Sequence, residues 1–159
     1  MKITIICVGK IKEKFYRDAV AEYAKRLSKY CRLEIIEVQD EKTPDHAGSA
    51  LEEQIKEREA SRILKYIKDD AFVYSLEING MQPDSLELSE QIGELALQGK
   101  SHIQFIIGGS LGLHKKVSGA SDKALSFSNM TFPHQLMRVI LLEQIYRSYR
   151  ILSGEPYHK

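Results

Sequence analysis

Only two cysteines occur among the 159 residues, Cys7 and Cys31, with no Cys-x-x-Cys and no paired histidine spacing. That pattern excludes a disulfide framework and a zinc site and predicts free thiols in the interior. The five histidines (His46, His102, His114, His134 and His158) are scattered, so no metal is expected. No apolar run is long enough to span a membrane. The opening Met-Lys-Ile-Thr-Ile-Ile-Cys-Val-Gly-Lys lacks both the core length and the small-residue cleavage site of a signal peptide. A cytoplasmic protein is the expectation. There is no repeat, low-complexity tract or linker, and a 43% hydrophobic fraction can build a real core, so the chain reads as one domain, residues 1–159.

Charge of one sign is also missing overall, since the formal net charge is +1. The distribution is uneven, however. Residues 1–113 hold 16 Lys and Arg against 19 Asp and Glu, whereas residues 114–159 hold 7 against 3. A basic end on a near-neutral chain can steer a polyanion locally, although a charge run is more often a solvated face.

What is present is an alternation. Lys2 to Val8 is β-branched and apolar and stops at Gly9, which predicts a buried strand; Glu13 to Tyr30 has apolar residues at helical spacing. Strands follow at Leu33 to Val38, Ala71 to Leu76 and His102 to Ile107. Helices are predicted at Gly48 to Lys68, with Leu51, Ile55, Ile63, Leu64 and Ile67 inward, and at Leu86 to Leu97. Glu77 to Asp84 reads as turn-rich, His114 to Ser118 as a short helix, Ala124 to Phe127 as an extended piece, and Pro133 to Leu152 as the last helix. Strands and helices alternating at these lengths predict an α/β fold with a mainly parallel sheet covered on both faces. Ligands of such sheets lie beyond the carboxyl ends of the strands, which brings Leu76, Gly108 and the loop after Phe127 to one crevice.

Two glycine motifs bear on that crevice. Gly99-Lys100-Ser101 imitates the end of a phosphate-binding loop, but Glu94 stands where that loop needs glycine and a strand follows instead of a helix. Gly108-Gly109-Ser110-Leu111-Gly112 follows a strand without the G-x-G-x-x-G spacing, and is equally a tight turn and a ligand loop. Phe127 to Phe132 alternates apolar and small polar residues before Pro133, which suits the first turn of a helix, with Thr131 as a cap. The same stretch can line a ligand site, its backbone reading the edge of a purine while Phe127, Met130 and Phe132 form apolar walls. In the last helix Leu136, Val139, Ile140, Ile145 and Tyr149 form one apolar face, and Met137, Leu141 and Leu142 make other faces apolar too. A helix apolar nearly all round predicts a subunit interface. Arg138, Arg147 and Arg150 interrupt it, and Glu143 stands at the right spacing to pair with Arg147. The closing Glu155-Pro156-Tyr157-His158-Lys159 reads either as a frayed tail or as a group that meets a base and its phosphate.

Leu76-Glu-Ile-Asn-Gly80, Phe105-Ile-Ile-Gly-Gly-Ser-Leu-Gly-Leu113, Leu125-Ser-Phe-Ser-Asn-Met-Thr-Phe-Pro-His-Gln-Leu-Met-Arg138, Tyr146-Arg147 and the terminal Pro156-Tyr157-His158 together closely resemble the ribosomal RNA large subunit methyltransferase H family. That family belongs to the SPOUT methyltransferases, and the resemblance runs over the whole chain. It implies an enzyme dependent on S-adenosylmethionine that methylates N3 of a pseudouridine in a 23S rRNA hairpin loop, acting on the assembled ribosome. A homodimer with a C-terminal trefoil knot is implied as well, a topology that general rules of chain connection exclude. The family's cofactor contacts fall on Leu76, Gly108, Phe127, Ser128, Asn129, Met130, Thr131 and Phe132. Its terminal Tyr-His-Arg falls on Tyr157, His158 and Lys159, where lysine supplies a point charge in place of a fork.

Methyl transfer from a sulfonium is an in-line displacement, so alignment dominates. The imide nitrogen must also lose its proton. His158 is the first candidate to assist that loss, with hydrogen bonding to the base as its other use. Arg138 and Lys159 are candidates to favour the developing anion or hold phosphate, and Tyr157 to stack on the base. The competing expectations are a non-catalytic RNA- or ribosome-binding domain of the same fold and, more remotely, a nucleotide hydrolase built on the Gly108 turn.

Overall fold

The computed structural model describes residues 1–159. In chain order the elements are β1 (Lys2–Val8), α1 (Lys14–Leu27), β2 (Arg32–Val38), α2 (Ser49–Leu64), β3 (Phe72–Met81), α3 (Ser85–Leu97), β4 (His102–Ile107), α4 (Lys115–Gly119), β5 (Lys123–Leu125) and α5 (His134–Leu152). The five strands form one sheet in the order β2-β1-β4-β3-β5, and every pairing is parallel. All carboxyl ends therefore emerge at a single edge.

Burial explains the strand sequences. In β1 and β4 side chains pack on both faces, so the strands read as continuous apolar runs rather than alternating ones. Ile3, Ile5 and Cys7 of β1, Ile103, Phe105 and Ile107 of β4 and Tyr74 of β3 share the face covered by α1, α3 and α5. Ile6, Val8, Ile106 and Val73 share the opposite face with Ala60 and Ile63 of α2 and Val117 of α4. Helices thus cover both faces, as expected of the α/β pattern. The Cys7 thiol, buried in this core, is pushed up to about 12 by burial.

Three expectations are corrected. Residues 77–81 continue β3 instead of forming a turn, because a bulge between Leu76 and Met81 lets both residues oppose Leu125. Gly80 makes this fit: a Cβ there would stand 2.7 Å from the Ala124 carbonyl carbon, so only glycine lets the two backbones approach. The second helix stops at Leu64, not Lys68, where the buried Gln104 side chain donates to the Tyr66 carbonyl at 2.9 Å and accepts from the Lys68 amide at 2.8 Å. Its inward face includes Glu59 as well as Ile55, Ala60 and Ile63. Thr131 does not cap the last helix; Pro133 is the capping residue and no side chain bonds there. No helix is long and apolar enough to cross a membrane, and no group of three or more His, Cys, Asp or Glu side chains comes together to hold a metal.

Candidate active site

Three strand ends build a cleft of about 600 Å³. The end of β3 contributes Leu76, Glu77 and Ile78, the turn after β4 contributes Ile107 to Gly112, and the loop from β5 into α5 contributes most of residues 125–134 together with Met137. This is the crevice that parallel topology predicts. Of the residues expected to hold a cofactor, Leu76, Gly108, Phe127, Ser128, Met130, Thr131 and Phe132 line it. Asn129 does not. Its side-chain oxygen accepts from Gln82 Nε2 at 3.0 Å, which turns the amide away from the cleft and ties the loop to the end of β3.

Local bonds hold the walls. The Ser126 amide donates to the Met81 carbonyl at 2.7 Å, extending the β3–β5 pairing into the loop, and the Met130 amide donates to Ser128 Oγ at 2.9 Å. A short turn closes through the Gly112 amide and the Gly109 carbonyl at 3.1 Å. A Cβ on Gly108 would meet the Gly112 carbonyl carbon at 2.9 Å, so this position needs glycine for close approach. Behind the turn, the buried His114 accepts from the Lys116 amide at its Nδ1 (3.1 Å), so Nε2 carries the proton and donates to Glu53 at 2.8 Å. The bond from the Lys116 amide caps α4 and fixes where the turn ends.

Glu77 is a wall residue that sequence reasoning passed over. It is the one carboxylate lining the cleft, and its two oxygens accept from Ser75 Oγ at 2.6 Å and Ser118 Oγ at 2.7 Å. Its position directly after Leu76 at a strand end was the available signal. Apolar walls from Leu76, Ile107, Phe127 and Phe132, with Glu77 and peptide groups interspersed, suit a small ligand that carries both apolar and hydrogen-bonding groups.

The expected catalytic residues are placed differently from one another. Arg138 is 1% exposed, and its guanidinium donates to Glu37 at 2.7 Å and to the Gly9 carbonyl at 3.1 Å. This corrects the expectation that it holds a phosphate or a developing anion: a salt bridge and a strand-end carbonyl occupy it inside the fold. His134 lines the cleft, and burial, reinforced by Arg138, lowers its pKa.

The tail is not frayed. Glu155 accepts from Tyr30 Oη at 2.8 Å and pairs with Arg150 at 2.5 Å, folding the chain back along α1 and α5. The Tyr157 ring then packs edge-on against Tyr146 at 5.0 Å, and its hydroxyl donates to Glu143 at 3.1 Å. Burial, followed by the Glu143 charge, raises the Tyr157 pKa. Arg147 pairs with Glu143 at 2.7 Å as the helical spacing predicts, lies 4.7 Å from the Tyr157 ring centre, and reaches His158 Nδ1 at 3.3 Å. Lys159 makes no ion pair. At 1.5 Å per residue, Arg147 stands about 15 Å along α5 from Met137, the cleft residue nearest to it on that helix. Tyr157 and His158 therefore do not meet the cleft of their own chain.

A parallel sheet with a glycine turn after β4 and a cleft-lining loop before α5 is joined by a match over the whole fold: the model described as "Predicted SPOUT methyltransferase" matches residues 1–158, and the chain belongs to the SPOUT methyltransferase family. Its relatives narrow the family further. The chain is 64% identical to the ribosomal RNA large subunit methyltransferase H of Bifidobacterium adolescentis, 59% to that of Clostridium novyi and 60% to that of Clostridium kluyveri. Each similarity spans all 159 residues and the full length of both proteins.

Proposed function

We propose that this chain is an S-adenosylmethionine-dependent methyltransferase that modifies N3 of a pseudouridine in a 23S rRNA hairpin loop of the assembled ribosome. The observation that carries the reading is the cleft, where seven of the eight residues expected at a methyl-donor site come together from three segments of the chain. Full-length identity to large subunit rRNA methyltransferases supports the substrate class. When bound, the donor supplies the methyl group as an electrophilic sulfonium. This chain's residues then orient and shield: Leu76, Phe127 and Phe132 form the walls, and the Gly108–Gly112 turn closes the base.

The proposal includes a cytoplasmic homodimer of single-domain subunits. Leu136, Met137, Val139 and Ile140 near the start of α5 are only half-buried in the single chain, which supports a seam there. The rise of about 15 Å along α5 between the cleft residue Met137 and Arg147, which holds the tail, supports a site completed by the partner's Tyr157, His158 and Lys159. A trefoil knot belongs to the same reading. Its support is the path from β4 across β3 to β5, after which α5 returns to the face holding α1 and α3.

Titration calorimetry with S-adenosylmethionine tests the cleft, because absence of binding leaves only a non-catalytic RNA-binding role. Mass spectrometry of 23S rRNA from cells lacking the protein tests the substrate; a pseudouridine that keeps its methyl group overturns the assignment. Removing Tyr157 to Lys159 should leave donor affinity nearly unchanged and abolish ribosome methylation.

A further inference from the structure

We infer that Glu143 and Arg147 position His158 as a hydrogen-bond donor through Nε2, so that it stabilises the pseudouridine anion instead of acting as the base that removes the N3 proton. This rests on the proposal that the tail meets the target base.

Glu143 Oε1 accepts from Arg147 Nη2 at 2.7 Å, Arg147 Nε at 3.2 Å and Tyr157 Oη at 3.1 Å, while Oε2 accepts from Gln144 Nε2 at 3.0 Å. Arg147 is thus held in plane by a carboxylate one helical turn away and stacked over the Tyr157 ring. Its remaining nitrogen, Nη1, lies 3.3 Å from His158 Nδ1. A guanidinium has five N–H donors and no acceptor. The contact therefore requires a bare Nδ1, and the single proton of the neutral ring sits on Nε2. A doubly protonated ring would set donor against donor. In this tautomer the outer nitrogen of His158 has a proton to share and no lone pair to take one.

That arrangement suits the reaction. N3 of the base lies between two carbonyl groups, and as it loses its proton the charge spreads onto their oxygens. The N3 electron pair forms the bond to the methyl carbon while the carbon–sulfur pair returns to sulfur, and the N3 proton leaves to water. An N–H aimed at one flanking carbonyl oxygen stabilises the charge that develops there. Tyr157 and Glu143 act one step further out, setting the plane of Arg147.

Substitution by glutamine separates donor from base, since its side-chain amide offers an N–H near the Nε2 position but cannot take up a proton. His158→Gln should lose about tenfold or less in kcat, and His158→Ala about a hundredfold or more, the range expected for losing one such donor. Arg147→Gln should lower kcat with donor affinity unchanged by calorimetry, and Arg147→Lys should restore part of the loss. In nitrogen-15 NMR spectra of histidine-labelled full-length protein, His158 should carry its proton on Nε2 and gain an Nδ1-protonated population in Arg147→Gln. His158→Gln as inactive as His158→Ala, or a proton found on Nδ1 in the unsubstituted protein, overturns the inference. Deletion of residues 157–159 keeps the two readings apart: if methylation survives it, the tail proposal itself is overturned, whereas loss of methylation with an inactive His158→Gln overturns only the donor role.

Discussion

Arg138 and Glu59 are charged residues enclosed by the fold, and their partners give them opposite consequences. Arg138 holds the end of β1 to β2 and α5 through Gly9 and Glu37, so removing its charge leaves the Glu37 carboxylate and the Gly9 carbonyl short of donors. Breaking a buried pair costs roughly 3–5 kcal/mol, and Glu37 keeps some access to water, so Arg138→Met should lose about 3 kcal/mol in a urea titration. Unchanged stability with methylation lost would return Arg138 to the RNA surface. Glu59 faces the back of the Gly109 turn and accepts from the Glu41 amide at 3.0 Å, and burial raises its pKa. A raised carboxyl contributes stability that is full below the unfolded value, about 4.3, and is lost as pH rises through the folded value. Glu59→Gln should therefore raise Tm at neutral pH, with the difference closing below about pH 4. A gap independent of pH would mean that ionisation of Glu59 is not its source.

Among the elements, the turn after β4 is the most exacting. Gly108→Ala places a Cβ against the Gly112 backbone at 2.9 Å, and backbone cannot swing aside as a side chain can. Donor affinity should fall at least tenfold by calorimetry, with far-ultraviolet circular dichroism unchanged; an unaltered affinity would place the donor away from this turn. The turn was legible in the sequence as glycine after an apolar strand, and so were β1 and β4, whose two-sided burial makes their composition unambiguous. The extension of β3 was not. Asn79-Gly80 reads locally as a turn, and only pairing with the three-residue β5, more than forty residues on, makes it strand. Seven of the residues that line the cleft were named through the family resemblance, which named Asn129 as well; that Asn129 turns instead to Gln82 depends on a partner that no local spacing announces. The Arg147–Glu143 pair followed from helical spacing, and the reach of Arg147 to His158 did not, because it depends on how Glu155 folds the tail back.

At the scale of the whole molecule, the proposed dimer and the folded tail make one claim together. Ile140→Asp puts a charge on the half-buried face of α5 and should yield a monomer by light scattering that binds the methyl donor and fails to methylate ribosomes. A fully active monomer would remove the shared site. The role of α5 in the core has a second consequence, for the birth of the protein. This last helix covers Ile3, Ile5 and Cys7 of the first strand, and Arg138 closes on a carbonyl 129 residues earlier in the chain. Contacts this distant cannot form until α5 itself has been synthesised. Until α5 is made, the part of that sheet face which α1 and α3 leave uncovered stays open to solvent, so strands synthesised first wait on the loop and helix synthesised after them for the proposed donor site to be complete.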